Sequence, residues 1–82
     1  MAYSDIERSA LQAVCLYEEL IKVGAERAEI KSAYAHAVDL VDEYGEDLDT
    51  LYNLDSTTDY SLYYNMRSRL DLTYGEYIKI FA

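Results

Sequence analysis

The stretch that decides the fold is AERAEIKSAYAHAVDLVDEY, residues 25–44. Its apolar and aromatic residues recur at helical spacing along one face: Ile30, Tyr34, Ala37, Val38, Val41 and Tyr44. A repeat of three and four residues places side chains on one side of an α-helix. Gly45 follows directly, and glycine is common just past a helix end. The sequence therefore predicts an amphipathic helix over residues 25–44.

A first helix is predicted before this stretch. Ser4 and Glu7 have the spacing of a capping box, which satisfies free backbone N–H groups at a helix start. One apolar face follows, consisting of Ile6, Ala10, Val14, Tyr17 and Ile21. Gly24 stands where a left-handed residue would end the helix. Cys15 adjoins the apolar face and is predicted to be a small buried side chain.

The second half of the chain is less regular. Residues 48–54 predict a short helix of two turns, and residues 55–58 predict a turn that also caps the next element. The segment 59–81 fits a helix, with a hairpin around Gly75 as the alternative. Because proline is absent, nothing blocks long helices. We predict one domain, residues 1–82, that is an all-α bundle of three to four helices.

Charge is concentrated in the centre of the chain. The 35 residues between Lys31 and Arg67 hold eight acids and neither lysine nor arginine, so they carry −8 of the formal net charge of −9. These acids are Asp39, Asp42, Glu43, Glu46, Asp47, Asp49, Asp55 and Asp59. A field of one sign costs self-repulsion and contributes to partner choice and solubility rather than to the fold.

Four of these acids, Asp39, Asp42, Glu43 and Glu46, share one face of the predicted second helix. Their axial steps are about 4.5–6 Å at about 1.5 Å per residue, comparable to the few ångströms between phosphates of a DNA strand. Asp47, Asp49, Asp55 and Asp59 would extend the row. The alternative is a solvated face. Acids at the predicted C-terminal end of the helix oppose its dipole, which favours a functional reason for them.

Ten tyrosines accompany the acids. Tyr17, Tyr34 and Tyr44 lie on the apolar faces and are predicted to be in the core. At least one of the three tyrosines at 60, 63 and 64 is predicted to be exposed beside the acids. The predicted partner-binding tyrosines are Tyr52, Tyr60, Tyr63 and Tyr64. Exposed tyrosine gives large contact area at low entropic cost.

Several functions are not supported by the residues. One Cys and one His do not make a zinc site, and Glu46–Asp49 lacks the spacing of a calcium loop. Cys15 and His36 are not a convincing nucleophile pair, and there is no phosphate-binding glycine motif. We predict no catalytic residue, no metal and no cofactor. The charge argues against direct binding of nucleic acid or an anionic membrane, and we see neither a secretory signal nor a membrane span.

The acids at 39–59 with their neighbouring tyrosines resemble a class of phage-encoded DNA-mimic inhibitors, of the anti-CRISPR and anti-restriction type. The resemblance is compositional, covers about a third of the chain, and carries no shared motif. It implies a protein that is not an enzyme, acts in the cytoplasm of a host bacterium, and occupies a basic, nucleic-acid-binding surface of a CRISPR effector.

Two other functions stay open. An immunity protein or antitoxin would use the same acids and tyrosines against a cognate nuclease. A helical structural or assembly module would instead form a homodimer through leftover apolar surface, and a homo-oligomer would also help so short a chain to bury enough apolar surface.

Overall fold

The computed structural model describes the backbone of residues 5–81 and the side chains of residues 5–76 and of Ile78. Its described residues form three helices, α1 (Asp5–Lys22), α2 (Arg27–Leu54) and α3 (Ser61–Phe81), and no strand. The predicted all-α bundle is confirmed, and the helical prediction for residues 59–81 is confirmed over the hairpin. The helices lie side by side in an elongated bundle of 44 × 20 × 17 Å.

The end of α1 follows the sequence prediction. Gly24 has a positive φ of 73°, a conformation that glycine adopts without steric cost. The N–H of Ala25 donates to the carbonyl of Leu20 at 2.9 Å, and that of Gly24 to Ile21 at 3.2 Å. These bonds satisfy carbonyls that a helix end leaves free. The predicted capping box involves Ser4, which lies outside the described residues.

The predicted end of the second helix at Tyr44 is wrong. α2 continues ten residues further, to Leu54, and absorbs the short helix predicted over residues 48–54. Gly45 is a buried position inside this helix, and Leu48, one turn on, is also buried. Burial of Leu48 against the core outweighs the weak helix propensity of a single glycine.

Gly45 is needed where α2 and α3 approach each other. A Cβ atom at this position would stand 2.7 Å from Cε2 of Tyr63 and 3.2 Å from its Cζ. The glycine therefore marks a close helix contact and not a helix end. Because the acids at 39–43 are consequently in the middle of α2, their predicted conflict with the helix dipole does not arise, since that effect is confined to the last turn.

We expect Gly45→Val to lower the free energy of unfolding by about 1–3 kcal/mol, because the added methyl groups displace the Tyr63 ring. Gly75→Val is the matched control, since a Cβ at Gly75 meets nothing within 4 Å. The control should change stability by less than about 0.5 kcal/mol. Urea unfolding followed by circular dichroism measures both. Equal effects of the two substitutions would contradict a steric role for Gly45.

The link between α2 and α3 is a turn held by aspartates. Asp55 accepts hydrogen bonds on Oδ1 from the backbone N–H (2.9 Å) and the hydroxyl (2.6 Å) of Thr57. Asp59 does the same for Ser61, at 2.9 and 2.6 Å. The predicted turn is confirmed, but the side chain that satisfies the start of α3 is Asp59, one residue later than predicted.

The core runs along the inner faces of all three helices. Its fully buried larger side chains are Tyr17, Ile30, Met66, Leu70, Val14 and Val41. Tyr17 and Tyr44 are buried as predicted, whereas Tyr34 is half-buried and stacks on Tyr74 with ring centroids 4.5 Å apart. The Tyr44 hydroxyl donates to Glu7 of α1 at 3.2 Å. Burial and this acidic neighbour raise the pKa of Tyr44 to about 12.

Cys15 is exposed, so the prediction of a buried thiol is wrong. Position 15 follows Val14 by one residue, and that step of about 100° rotates its side chain away from the core. Its sulfur accepts from Nη2 of Arg69 at 3.6 Å. Arg69 is committed mainly to Glu18, with which it forms a two-pronged ion pair that ties α3 to α1.

Candidate functional site

The eight predicted acids are all exposed, but the structure divides them into three groups with different surroundings. Four lie on the outer side of α2, and their side chains make no hydrogen bond or ion pair with any described residue. Two others bond to later residues, Asp42 to Arg67 of α3 and Asp49 to Tyr60 just before α3. The last two, Asp55 and Asp59, are the turn residues described above. We call the first group, Asp39, Glu43, Glu46 and Asp47, the acidic ridge.

The acidic ridge is set by helix geometry. Asp39, Glu43 and Glu46 fall within about 60° of one another around α2 and span about 10 Å along its axis. Asp47 is rotated by about 100° from Glu46, towards the side of α2 that carries Leu51. The buried residues Val41, Tyr44 and Leu48 occupy the opposite side of the helix. Three of the four acids on the predicted carboxylate face, Asp39, Glu43 and Glu46, therefore point to solvent and belong to the acidic ridge.

Asp42, the fourth acid of the predicted carboxylate face, is partly neutralised by an arginine. Nη1 of Arg67 donates to its Oδ1 at 2.7 Å, and both side chains are about half exposed. Arg67 therefore bonds back to α2. Arg69, the next arginine, pairs instead with Glu18 of α1. A surface pair such as Arg67–Asp42 contributes little stability, and a competing partner charge can displace it.

A cleft of about 350 Å³ lies between α2 and the start of α3, from Tyr60 to Tyr64. The side chains and backbone that line it are those of Asp42, Gly45, Glu46, Asp49, Tyr60, Tyr63 and Tyr64. Three predicted acids and three predicted tyrosines thus come together here. Gly45 forms part of the wall. Because it has no side chain, the ring of Tyr63 can approach α2 closely at this point.

The three tyrosines of the cleft and the neighbouring Tyr52 form a connected series of rings. Tyr63 and Tyr64 have centroids 5.4 Å apart, Tyr64 and Tyr60 are 6.2 Å apart, and Tyr60 and Tyr52 are 6.1 Å apart. Such tilted and edge contacts are favourable aromatic geometries. Tyr52 and Tyr64 remain 50% and 64% exposed. The prediction that some of these rings stand free beside the acids is confirmed.

One hydrogen bond fixes the position of Tyr60. Its hydroxyl donates to Oδ1 of Asp49 at 2.8 Å. This bond, with smaller contributions from burial and the charge of Asp49, raises the pKa of Tyr60 to about 12. The bond holds the ring against α2 and leaves the second oxygen of Asp49 available to a partner.

The two turn acids are firmly ionised. The hydroxyl and the backbone N–H of Thr57 lower the pKa of Asp55, and those of Ser61 lower the pKa of Asp59. Both carboxylates are therefore negative over a wider pH range than an ordinary aspartate. They extend the charge of the ridge past the end of α2, as predicted from the sequence, while their hydrogen bonds also serve the turn.

We expect Asp49→Asn to lower the pKa of Tyr60 from about 12 towards 10, the ordinary value for tyrosine. Because folding raises this pKa, the stabilising contribution of the bond is complete below pH ~10 and is lost as pH rises through about 12. Phenolate absorbance during an alkaline titration measures the change. Tyr44, whose pKa is also about 12, should not move, so the variant should show one tyrosine fewer that ionises near pH 12. An unchanged titration in the variant would contradict the assigned bond.

The lining of the cleft consists of ionic and aromatic groups together with Gly45. Cys15 and His36 are both exposed, and neither lines the cleft. Among the residues with described side chains, no three His, Cys, Asp or Glu residues are grouped so that they could hold a metal ion. Within the same part of the chain, none of the helices has the length and apolar character that a bilayer span requires.

Sequence reasoning missed two contributors to this surface. The sequence predicts Gly45 at a helix end, although it lies three residues after Asp42 and four before Asp49, which is the spacing of neighbours on one helix side. The sequence does not indicate a partner for Arg67, because only the register of α3 against α2 shows which acid it meets. Comparisons of the chain with protein-family models, with curated proteins and with solved structures find no match.

Proposed function

We propose that this chain is an anti-CRISPR-like inhibitor that binds the basic, nucleic-acid-binding surface of a CRISPR effector and blocks access of DNA. The observation that carries the proposal is the acidic ridge, in which four exposed carboxylates of one helix have no described cation beside them. A surface that serves only solubility usually mixes both signs of charge, because mixing avoids self-repulsion. A basic channel is the natural complement of such a ridge.

The ridge would accelerate association with the partner and orient the protein on it. Complementary charge raises association rates from the ordinary range of about 10⁵–10⁶ M⁻¹s⁻¹ to as much as about 10⁸–10⁹ M⁻¹s⁻¹ at low salt. The carboxylates would take the positions that phosphates occupy in the channel. Since nucleic acid and the inhibitor compete for the same lysine and arginine side chains, one bound inhibitor excludes DNA.

The cleft beside the ridge would slow dissociation of the complex. Carboxylates of Glu46 and Asp49 stand next to the rings of Tyr60, Tyr63 and Tyr64. A lysine or arginine side chain gains from ionic bonds and from contact with the face of an aromatic ring. Tyrosines are frequent anchors of protein interfaces, where their loss mainly accelerates dissociation. The proposal thus uses both groups of predicted residues.

A cleavage assay tests the proposal. Purified CRISPR effector complexes of several types are incubated with the protein before target DNA is added, and cleavage is followed at two salt concentrations. We expect one type to be inhibited, with weaker inhibition at higher salt because the interaction depends on charge. No inhibition of any type would contradict the proposal, and selective inhibition of a free nuclease would favour the immunity-protein alternative.

A further inference from the structure

The last two turns of α2 project beyond α1. Glu7 bonds to Tyr44, and the ring of Tyr17 contacts that of Tyr34, so α1 and α2 are antiparallel and Asp5 lies opposite residue 46. α2 continues to Leu54. Among the described residues, α1 therefore does not cover this end of α2. Leu51 is 51% exposed there and Leu54 is 83% exposed.

These leucines continue a file of acids on the same side of α2. Glu43, Asp47 and Leu51 follow one another at intervals of four residues, which places them one above the other on a helix. Leu54 follows Leu51 by three residues and extends the same side. Leu48, Tyr44 and Asp47 border the shallow apolar depression next to Leu51. The surface is thus acidic at one end and apolar at the other.

The charge decides what can cover this surface. A nucleic acid or an anionic membrane would be repelled by Glu43, Asp47 and the nearby Asp55. A second copy of the chain would bring its own net charge of −9 to the contact and would offer neither lysine nor arginine from residues 32–66, the segment that carries its leucines. The leucines need an apolar depression to enter, and the acids need lysine or arginine side chains to pair with. A protein surface can offer both, because protein interfaces commonly surround an apolar centre with a polar rim.

We infer that Leu51 and Leu54 form an apolar anchor that docks into a basic protein partner alongside the acidic ridge. This inference rests on the proposed function, since it takes the partner to be cationic, and it adds a source of specificity. Phosphate mimicry alone would attract any polycation. An apolar anchor discriminates among cationic surfaces, because only those with a matching depression bury the two leucines.

Two synthetic helical peptides of equal positive charge provide the probes. One has lysines on one face and leucines on the other, and the second has serines in place of the leucines. Calorimetry gives their affinities, and ¹⁵N NMR titration maps the amides that shift. We expect the Lys/Leu peptide to bind about tenfold more tightly than the Lys/Ser peptide, because burial of leucine adds to the ionic attraction. Its additional shifts should fall at residues 47–54.

The variant Leu51→Ser/Leu54→Ser should lose this tenfold preference and keep its affinity for the Lys/Ser peptide. Leu72→Ser is the matched control, because Leu72 is 72% exposed on α3. The control should keep the preference. Thermal melts confirm that all variants are folded, as expected for exposed positions.

The outcomes separate the inference from the proposed function. If charge reversal of the acidic ridge weakens both peptides but the double leucine variant keeps the preference, the inference alone is wrong. If charge reversal leaves the Lys/Ser peptide unaffected, the proposed function fails. A wild-type dimer in sedimentation that the double leucine variant abolishes would also overturn the inference, because a second copy would then cover the leucines.

Discussion

Replacing Asp39, Glu43, Glu46 and Asp47 together by lysine is expected to abolish inhibition of the effector. Each replacement adds two positive charge units, so the four together raise the net charge from −9 to −1. Lysines opposite a basic channel exchange attraction for repulsion, and like charges across an interface cost several kcal/mol. We expect affinity to fall by about 10³-fold or more, since about 1.4 kcal/mol corresponds to a factor of ten.

The fold should survive this change. None of the four side chains bonds to another described residue, and lysines at positions 39 and 46 stand three and four residues from Asp42, where opposite charges on a helix attract. The melting temperature should therefore be unchanged or slightly higher. Inhibition of DNA cleavage, measured over a range of inhibitor concentrations, gives the functional effect.

The control for this experiment keeps the charge change and moves it elsewhere. Lysine at Glu19, Glu26, Glu29 and Glu76, which are exposed positions outside the central acidic window, gives the same net charge. This variant should retain most of its inhibition. If it loses as much activity as the ridge variant, net charge and not the placement of charge would be responsible, and the ridge would have no specific role.

Tyr17→Ala is expected to have the largest effect on stability. The Tyr17 side chain is completely buried, and its ring is 5.3 Å from that of Tyr34 between α1 and α2. Removing a large buried aromatic side chain costs about 3–5 kcal/mol through lost burial and the cavity that remains. In a domain of this size that loss lowers the melting temperature by about 12–40 °C.

Such a loss approaches the whole stability of a small domain, so the variant should be largely unfolded at 37 °C. Circular dichroism melting curves measure the effect. Tyr64→Ala is the control, because Tyr64 is 64% exposed and should change stability by less than about 1 kcal/mol. Similar melting curves for the two variants would contradict the assignment of Tyr17 to the core and of Tyr64 to the surface.

The sequence was sufficient where local spacing determines the outcome. The apolar face of α1 and the left-handed Gly24 were both predicted, because each depends on residues within a few positions of one another. The prediction failed at Gly45. Whether a glycine ends a helix or admits a neighbouring helix depends on Tyr63, which is 18 positions away, and no local pattern reveals that contact.

The candidate site shows the same limit. Helical spacing was enough to place Asp39, Glu43 and Glu46 on one exposed side of α2. It did not show that Arg67 reaches Asp42 or that Tyr60 bonds to Asp49, because both contacts depend on how α3 is aligned with α2. The exposed Leu51 and Leu54 were also missed, since the helix that carries them was predicted to be a separate short element.

The most direct test of the account is a competition measurement on an effector that the protein inhibits. Fluorescently labelled target DNA is bound to the effector, and anisotropy is followed as the protein is added. The account predicts that the protein displaces the DNA completely, that more protein is needed as salt or DNA concentration rises, and that the ridge variant displaces none. Inhibition with the DNA still bound, in a complex that contains effector, DNA and protein together, would contradict it.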